Sequence, residues 1–271
     1  MTSHPALGQL PSLVASPVAS LSALECKVRR RPMVIGVMTD EEVTLLDAAA
    51  ANEVDAPRLA RHPVAEQDVA RSTTMILLHA RGEVDLDGPD IQLTGPHAAV
   101  TAMREEAVRR ALLVVLPDES DGFHAVVDRI GDRALAMARI VDRRVGIQTI
   151  VAATPEHAMA WTLKVLGVVE DRDTRRHPRQ PSVQRRGDPS ALEPPLHRLE
   201  SDADVVIAVM ATTGPASSGP MTVTSGPLGV HLHRGFTTPA GQDHTLTTLS
   251  PVALASALAT LLDPPDPPVV P

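Results

Sequence analysis

Two separated stretches, QTIVAATPEHAMAWTLKVL (Gln148 to Leu166) and HTLTTLSPVALASALATLL (His244 to Leu262), align without a gap. Each reads as a β-strand, a Thr-Pro or Ser-Pro step, and a helix. The step carries the physics. A Thr or Ser hydroxyl caps a first helical turn, and Pro suits the first helical position because its missing N–H would have had no partner there. Identities are confined to Thr149/Thr245, Pro155/Pro251 and Leu166/Leu262, so the correspondence is one of pattern. The apolar stripe of the first helix is Met159, Leu163 and Leu166. That of the second, Leu254, Leu258 and Leu261, is shifted by one place. A run of strand signals precedes each unit, so each copy is an antiparallel meander ending in a Pro-started helix. A lone half-sheet leaves an open edge and a half-covered face, and packing two about a pseudo-twofold axis covers both. The expected fold class is α+β, with two pseudo-twofold-related halves, each an antiparallel β-meander with helices.

Composition narrows the function classes. The chain holds two Phe, one Trp and no Tyr. Its core must therefore be aliphatic, and aromatic platforms for bases or cages for cations are scarce. A formal net charge of −8 argues against nucleic-acid binding by the whole chain. The single cysteine, Cys26, cannot form an internal bridge, which points to a cytoplasmic or disulfide-independent protein. No apolar run is long enough for a membrane helix.

Along the chain, residues 1–30 are Pro/Ser/Ala-rich and read as a disordered leader without the basic start of a secretory signal. The first α+β half is expected over 31–169. MVIGVM from Met33 is a strand. Thr39 and Glu42 after it form a capping box that opens a helix from about Asp40 to Asn52, with Val43, Leu46 and Ala50 on one face. A second helix spans about Ala65 to Ala80, its apolar stripe being Val69, Ile76 and Leu77. A third runs from about Pro96 to Arg110 with Val100, Met103, Ala107 and Arg110. Strands follow at about Ala111 to Leu116, Phe123 to Ile130, Arg133 to Val141 and Val145 to Ala152, joined by short loops. Residues 170–190, with six Arg and three Pro, read as a linker. The second half, 191–263, repeats the meander with strands near Asp204, Met221, Leu228 and Asp243. Residues 264–271 are a Pro-rich tail.

Candidate chemistry is sparse. His231 and His233 point to one face of a strand, and Asp243 and His244 follow, a set that could hold a metal in a metal-dependent enzyme. The short spacing that would complete such a signature is missing, so no metal and no cofactor are expected. Ser217 and Ser218 sit in a Gly/Pro loop without a nucleophile elbow. The Asp85, Asp87 and Asp90 cluster fails calcium-loop spacing. Two helices followed by a hairpin around Asp87-Gly88 resemble a winged helix. A transcription regulator would then need basic residues on its reading helix, where Arg71 stands against Glu66 and Asp68, and Arg104, Arg109 and Arg110 against Glu105 and Glu106. The turn Asp118, Glu119, Asp121, followed by Phe123, is an exposed acidic hairpin tip beside an aromatic, and is the candidate partner contact.

The order of pieces resembles the EspG family of type VII (ESX) secretion-associated proteins. The residues that carry this are TDEEVTLLDAAA from Thr39, LLHARGEVDLDG from Leu77, the meander from Leu112, and the two strand–helix endings. The resemblance spans roughly residues 33 to 263. It implies a fold of quasi-twofold α+β halves and a non-enzymatic cytoplasmic chaperone that binds the apolar tip of a secreted PE/PPE-type pair, with no nucleic acid and no membrane as partner. In that family the contact surface includes a loop between early sheet strands. The matching loop here, Pro117 to Gly122, is short, and no individual binding residue carries over.

Overall fold

The structure is a computed structural model that describes residues 21–46, 52–85, 92–117, 122–168, 185–187, 196–213, 216–217, 221–238 and 241–263. The strands of its central sheet are β1 (Met33–Thr39), β4 (Ala107–Leu116), β5 (Phe123–Ile130), β6 (Ala136–Asp142), β7 (Ile147–Ala153), β8 (Arg185–Gly187), β9 (Val205–Thr213), β10 (Ala216–Ser217), β11 (Met221–Gly226), β12 (Gly229–Thr238) and β13 (Gly241–Leu249). They form an eleven-stranded antiparallel sheet with the order β1-β7-β6-β5-β4-β9-β11-β12-β13-β8, β10 pairing separately with β9. A small hairpin, β2 (Val84–Asp85) with β3 (Gln92–Leu93), stands apart.

The duplication holds at the level of residue register. Adding 96 to a residue number takes the N-cap Thr154 to the N-cap Ser250. The same step takes the pair Ala111–Val127 to Ile207–Val223. Ala138 lies between Val127 and Val151, as Leu232 lies between Val223 and Thr247. Strand β12 alone is two residues out of step, because the β11–β12 turn is shorter. The two halves meet where β4 pairs with β9, and there Leu113 faces Val209, its own counterpart under the same step. The pseudo-twofold axis therefore passes through this pair, both fully buried. Each half also ends alike: β1 adds antiparallel to β7, and β8 to β13. The Arg-rich stretch read as a linker thus supplies an edge strand from Arg185 to Gly187.

One face of the sheet carries helices α6 (Pro155–Val165) and α8 (Pro251–Ala259), which pack on each other over the main aliphatic core. Both are capped as their sequence implies: Thr154 Oγ1 accepts from His157 N at 3.4 Å, and Ser250 Oγ from Ala253 N at 3.1 Å. The one-place shift read from their sequences does not hold in the packing. The buried positions coincide, as Ala158/Leu254, Met159/Ala255, Thr162/Leu258, Leu163/Ala259 and Leu166/Leu262. In the first four pairs, a bulky side chain in one helix meets a smaller one at the same position in the other. A stripe read from large residues alone therefore looks displaced.

The opposite face is covered unequally. Over the first half lie α1 (Leu21–Val28), α2 (Asp40–Leu46) and α5 (Gly95–Glu105), which form a second core with Val43, Val100, Met103, Met137 and Ile150. The α2 entrance is the expected capping box, with Thr39 N donating to Glu42 Oε2 at 2.8 Å and Glu42 N to Thr39 Oγ1 at 3.2 Å. Residues 47–51, where this helix was expected to continue, lie outside the described residues. The third expected helix ends at Glu105, and Arg109 and Arg110 belong to β4. Helix α3 (Pro57–Ala60) and helix α4 (Val64–Ala80) complete this layer. Over the second half the only described helix is α7, residues 196–201. The cause is chain length: residues 40–106 separate β1 from β4, whereas residues 188–204 separate β8 from β9.

Candidate docking surface

Of the expected contact residues, Asp118, Glu119 and Asp121 lie outside the described residues. Phe123 opens β5 and is 40% exposed. Beside it Leu116 ends β4 at 39% exposed. These two, with Val115, Pro117, Gly122, Val165 and Leu166, line a hollow of about 340 Å3. None of the described lining side chains can titrate or act as a nucleophile. Such a lining can take up apolar surface. Its walls come from the sheet's central strands and the C-terminal end of α6, elements fixed by the main core.

A second apolar surface lies on α4. Helix α4 forms over almost the expected residues, but its stripe faces solvent: Val69 and Ile76 are each 67% exposed, and Leu77 57%. The buried side chains of α4 are Gln67 and Leu78. Helical periodicity is the same whether a face meets its own core or another molecule, so spacing alone cannot assign it.

The remaining polar clusters explain themselves structurally. Asp55, which no sequence motif marks, enters the sheet from the turn before α3. It meets Arg139 Nη2 at 2.6 Å, Arg110 Nη1 at 3.1 Å and Asn52 Nδ2 at 3.1 Å. Asp128 binds Arg110 Nε at 2.7 Å and Arg139 Nη2 at 3.3 Å. Arg139 is fully buried. Burial alone would push the Asp55 carboxyl up. The Arg139 and Arg110 guanidiniums outweigh it and hold the group well below the usual carboxylate range. Arg104 also lies 3.7 Å from Asp55. Burial raises Asp40, against hydrogen bonds from Gln148 and from the backbone N–H groups of Arg58 and Leu59. This cluster fastens the segment before α3 to the sheet.

It also bears on the DNA-reading alternative. Arg104 and Arg110 are turned inward on carboxylates, Arg109 donates to the Asp263 carbonyl, and Arg71 pairs with Asp68 at 3.3 Å. None of these forms an outward basic row. On β12, His231 Nε2 is 3.1 Å from the Leu228 carbonyl and its Nδ1 3.0 Å from Thr248 Oγ1. His233 instead meets His244, Nε2 to Nδ1 at 2.9 Å. Among the described residues no three His, Cys, Asp or Glu side chains gather as metal ligands would. No helix among them is long and apolar enough to cross a membrane.

The geometry defines an α+β protein with a duplicated sheet and, among the described residues, exposed apolar side chains on α4 and at the ends of β4 and β5. No family model matches the sequence, and no curated protein matches it. Among solved structures, it is similar to a chain of the Mycobacterium tuberculosis type VII secretion system chaperone EspG5 in complex with the PE25-PPE41 dimer. The TM-score is 0.46 and the identity 14%, over 84% of this chain and 95% of that chain. A likeness at that level leaves function to be argued from this chain's own residues.

Proposed function

We propose that this protein is a non-enzymatic cytoplasmic chaperone that shields an apolar segment of a secreted PE/PPE-type pair during type VII secretion. The observation that carries the reading is the hollow at the end of β4 and β5. Among the described residues it is lined by aliphatic side chains, Gly122 and Phe123, and its walls belong to elements packed on the main core. A client whose apolar tip must stay soluble before export needs such a cover. Leu116 and Phe123 are the contact residues at its rim. Asp118, Glu119 and Asp121, in the adjoining segment of the chain, are proposed to set the orientation of the client by charge.

The test is co-expression of the protein with a PE/PPE-type pair encoded beside it, followed by size-exclusion chromatography. The expected result is a soluble co-eluting complex. Phe123→Asp and Leu116→Asp should each abolish it while the free protein keeps its melting temperature, since both residues are more than a third exposed. A client that stays soluble alone and never co-elutes overturns the proposal. So does an undiminished complex with both variants.

A further inference from the structure

The duplicated register lets the two halves of the sheet be compared residue by residue on the face away from α6 and α8. In the first half this face presents Val126, Asp128, Met137, Arg139, Val141, Gln148, Ile150 and Ala152, all buried. In the second half the same positions hold Thr222, Thr224, His231, His233, Gly235, His244, Leu246 and Thr248. Every first-half apolar side chain except Ile150 is replaced by Thr, His or Gly. Most of the second-half residues are half-buried. Toward the axis the face turns apolar, with Leu112 and Val114 beside Ala208 and Met210, and Met210 is 46% exposed.

The comparison also shows what such a face accepts. In the first half, the cover over Arg139 and Gln148 is the segment of residues 52–60. It presents Asp55, Ala56, Pro57 and Leu59, all buried. Asp55 lands on Arg139, and the backbone carbonyl of Asp55 accepts from Gln148 Nε2. The counterparts of Arg139 and Gln148 are His233 and His244. Their rings lie 19° from parallel with centroids 5.1 Å apart. One ring N–H bridges Nε2 of His233 and Nδ1 of His244. In either tautomer the pair keeps one further N–H to donate, and a proton taken up gives it two. Gly235 makes the arrangement possible: a Cβ there would sit 3.2 Å from His244 Cε1. Among the described residues no carboxylate from another element reaches this pair.

We propose that the face of the second half-sheet away from α6 and α8, over which α7 is the only described helix, is a docking surface for a segment of another polypeptide, built of small apolar residues around one carboxylate that lands on the His233–His244 pair. The mixed Thr, His and Met surface suits a partner that arrives and leaves, because it tolerates water when bare. The permanently covered face of the first half is apolar apart from Asp128, Arg139 and Gln148, which pair with one another or with Asp55 of the cover. This surface is separate from the hollow at Phe123, so either can fail without the other.

The probe is a synthetic peptide of residues 52–63 of this chain, added to the full-length protein. Its local shape is partly its own, since Asn52 Oδ1 accepts from both Val54 N and Asp55 N at 2.9 Å. The Met210 methyl signal and the His233 and His244 imidazole signals are followed by NMR. The expected result is a saturable shift of all three. Asp55→Asn in the peptide should weaken binding about tenfold, the order for one charge-assisted hydrogen bond. His233→Arg with His244→Gln, which restores the first-half pair, should tighten it. Met210→Asp should abolish it without lowering the melting temperature. No shift, equal binding of the peptide carrying Asp55→Asn, or shifts confined to the first half would overturn the proposal. So would contacts of the Met210 methyl with residues 169–195 before peptide is added, which would make the chain's own segment the occupant.

Discussion

Replacing Asp55 by Ala tests what holds the helical layer of the first half to the sheet. The side chain is 5% exposed and is shared by Arg139, Arg110 and, at 3.7 Å, Arg104. Its loss leaves Arg139 and Arg110 sharing one carboxylate, Asp128, and Arg139 is wholly buried. Breaking a buried pair from one side costs about 3–5 kcal/mol, because the stranded charge stays desolvated. For a chain of this size that corresponds to a fall in Tm of about 10 °C. The assay is urea unfolding, in which the midpoint should fall with the slope unchanged. Asp55→Leu combined with Arg139→Met should be less damaging than either alone, since no unpaired charge remains, and the cycle should show coupling well above additivity. Acid tells the same story with a fixed sign. The Asp55 carboxyl is held below its ordinary value in the folded state, so its contribution is complete above the unfolded carboxylate range and is lost as pH falls through the folded value. Asp55→Asn should therefore flatten the loss of stability below about pH 4. A single-variant cost under about 1 kcal/mol, the size typical of exposed ion pairs, would refute the clamp.

Further outcomes follow from single contacts. Thr39→Ala removes one side of the capping box and should cost about 1 kcal/mol by urea midpoint. Gly226→Ala places a Cβ 2.9 Å from the Asp202 carbonyl and 3.0 Å from the Asp204 nitrogen, both backbone, and should cost about 1–3 kcal/mol in the same assay. Ile76→Ser on α4 should leave stability within about 0.5 kcal/mol, because that side chain is already in solvent. Ala158→Leu and Leu254→Ala should each destabilise, and together restore part of the loss, because they exchange a bulky and a small residue between helices in contact. Strict additivity by calorimetry would mean the two positions do not share a packing site.

What could be read from the amino acids alone was what depends on near neighbours in the chain. The capping box at Thr39 and the Ser/Thr-Pro starts of α6 and α8 are closed within one helical turn, and they formed as expected. The meanders were legible because their turns are short. Three features were not, each for a different reason. The α4 stripe has the period of a buried face, and the period does not say which molecule buries it. Arg139 sits on a strand where a charged residue ordinarily marks solvent, and its partner Asp55 lies 84 residues away in a turn with no motif of its own. The register of the duplication was hidden because α6 and α8 carry their large side chains at different positions of the same buried set. That last concealment is what a twofold interface between non-identical sequences should produce. Where two equivalent helices pack on each other, two large residues at equivalent positions near the axis would overfill the space, and two small ones would leave a void. Drift that makes one large while the other becomes small keeps the volume constant and erases the sequence repeat. At the axis itself no such exchange is open to a self-facing pair. There Leu113 and Val209, both buried aliphatics, still face each other across the join of β4 and β9.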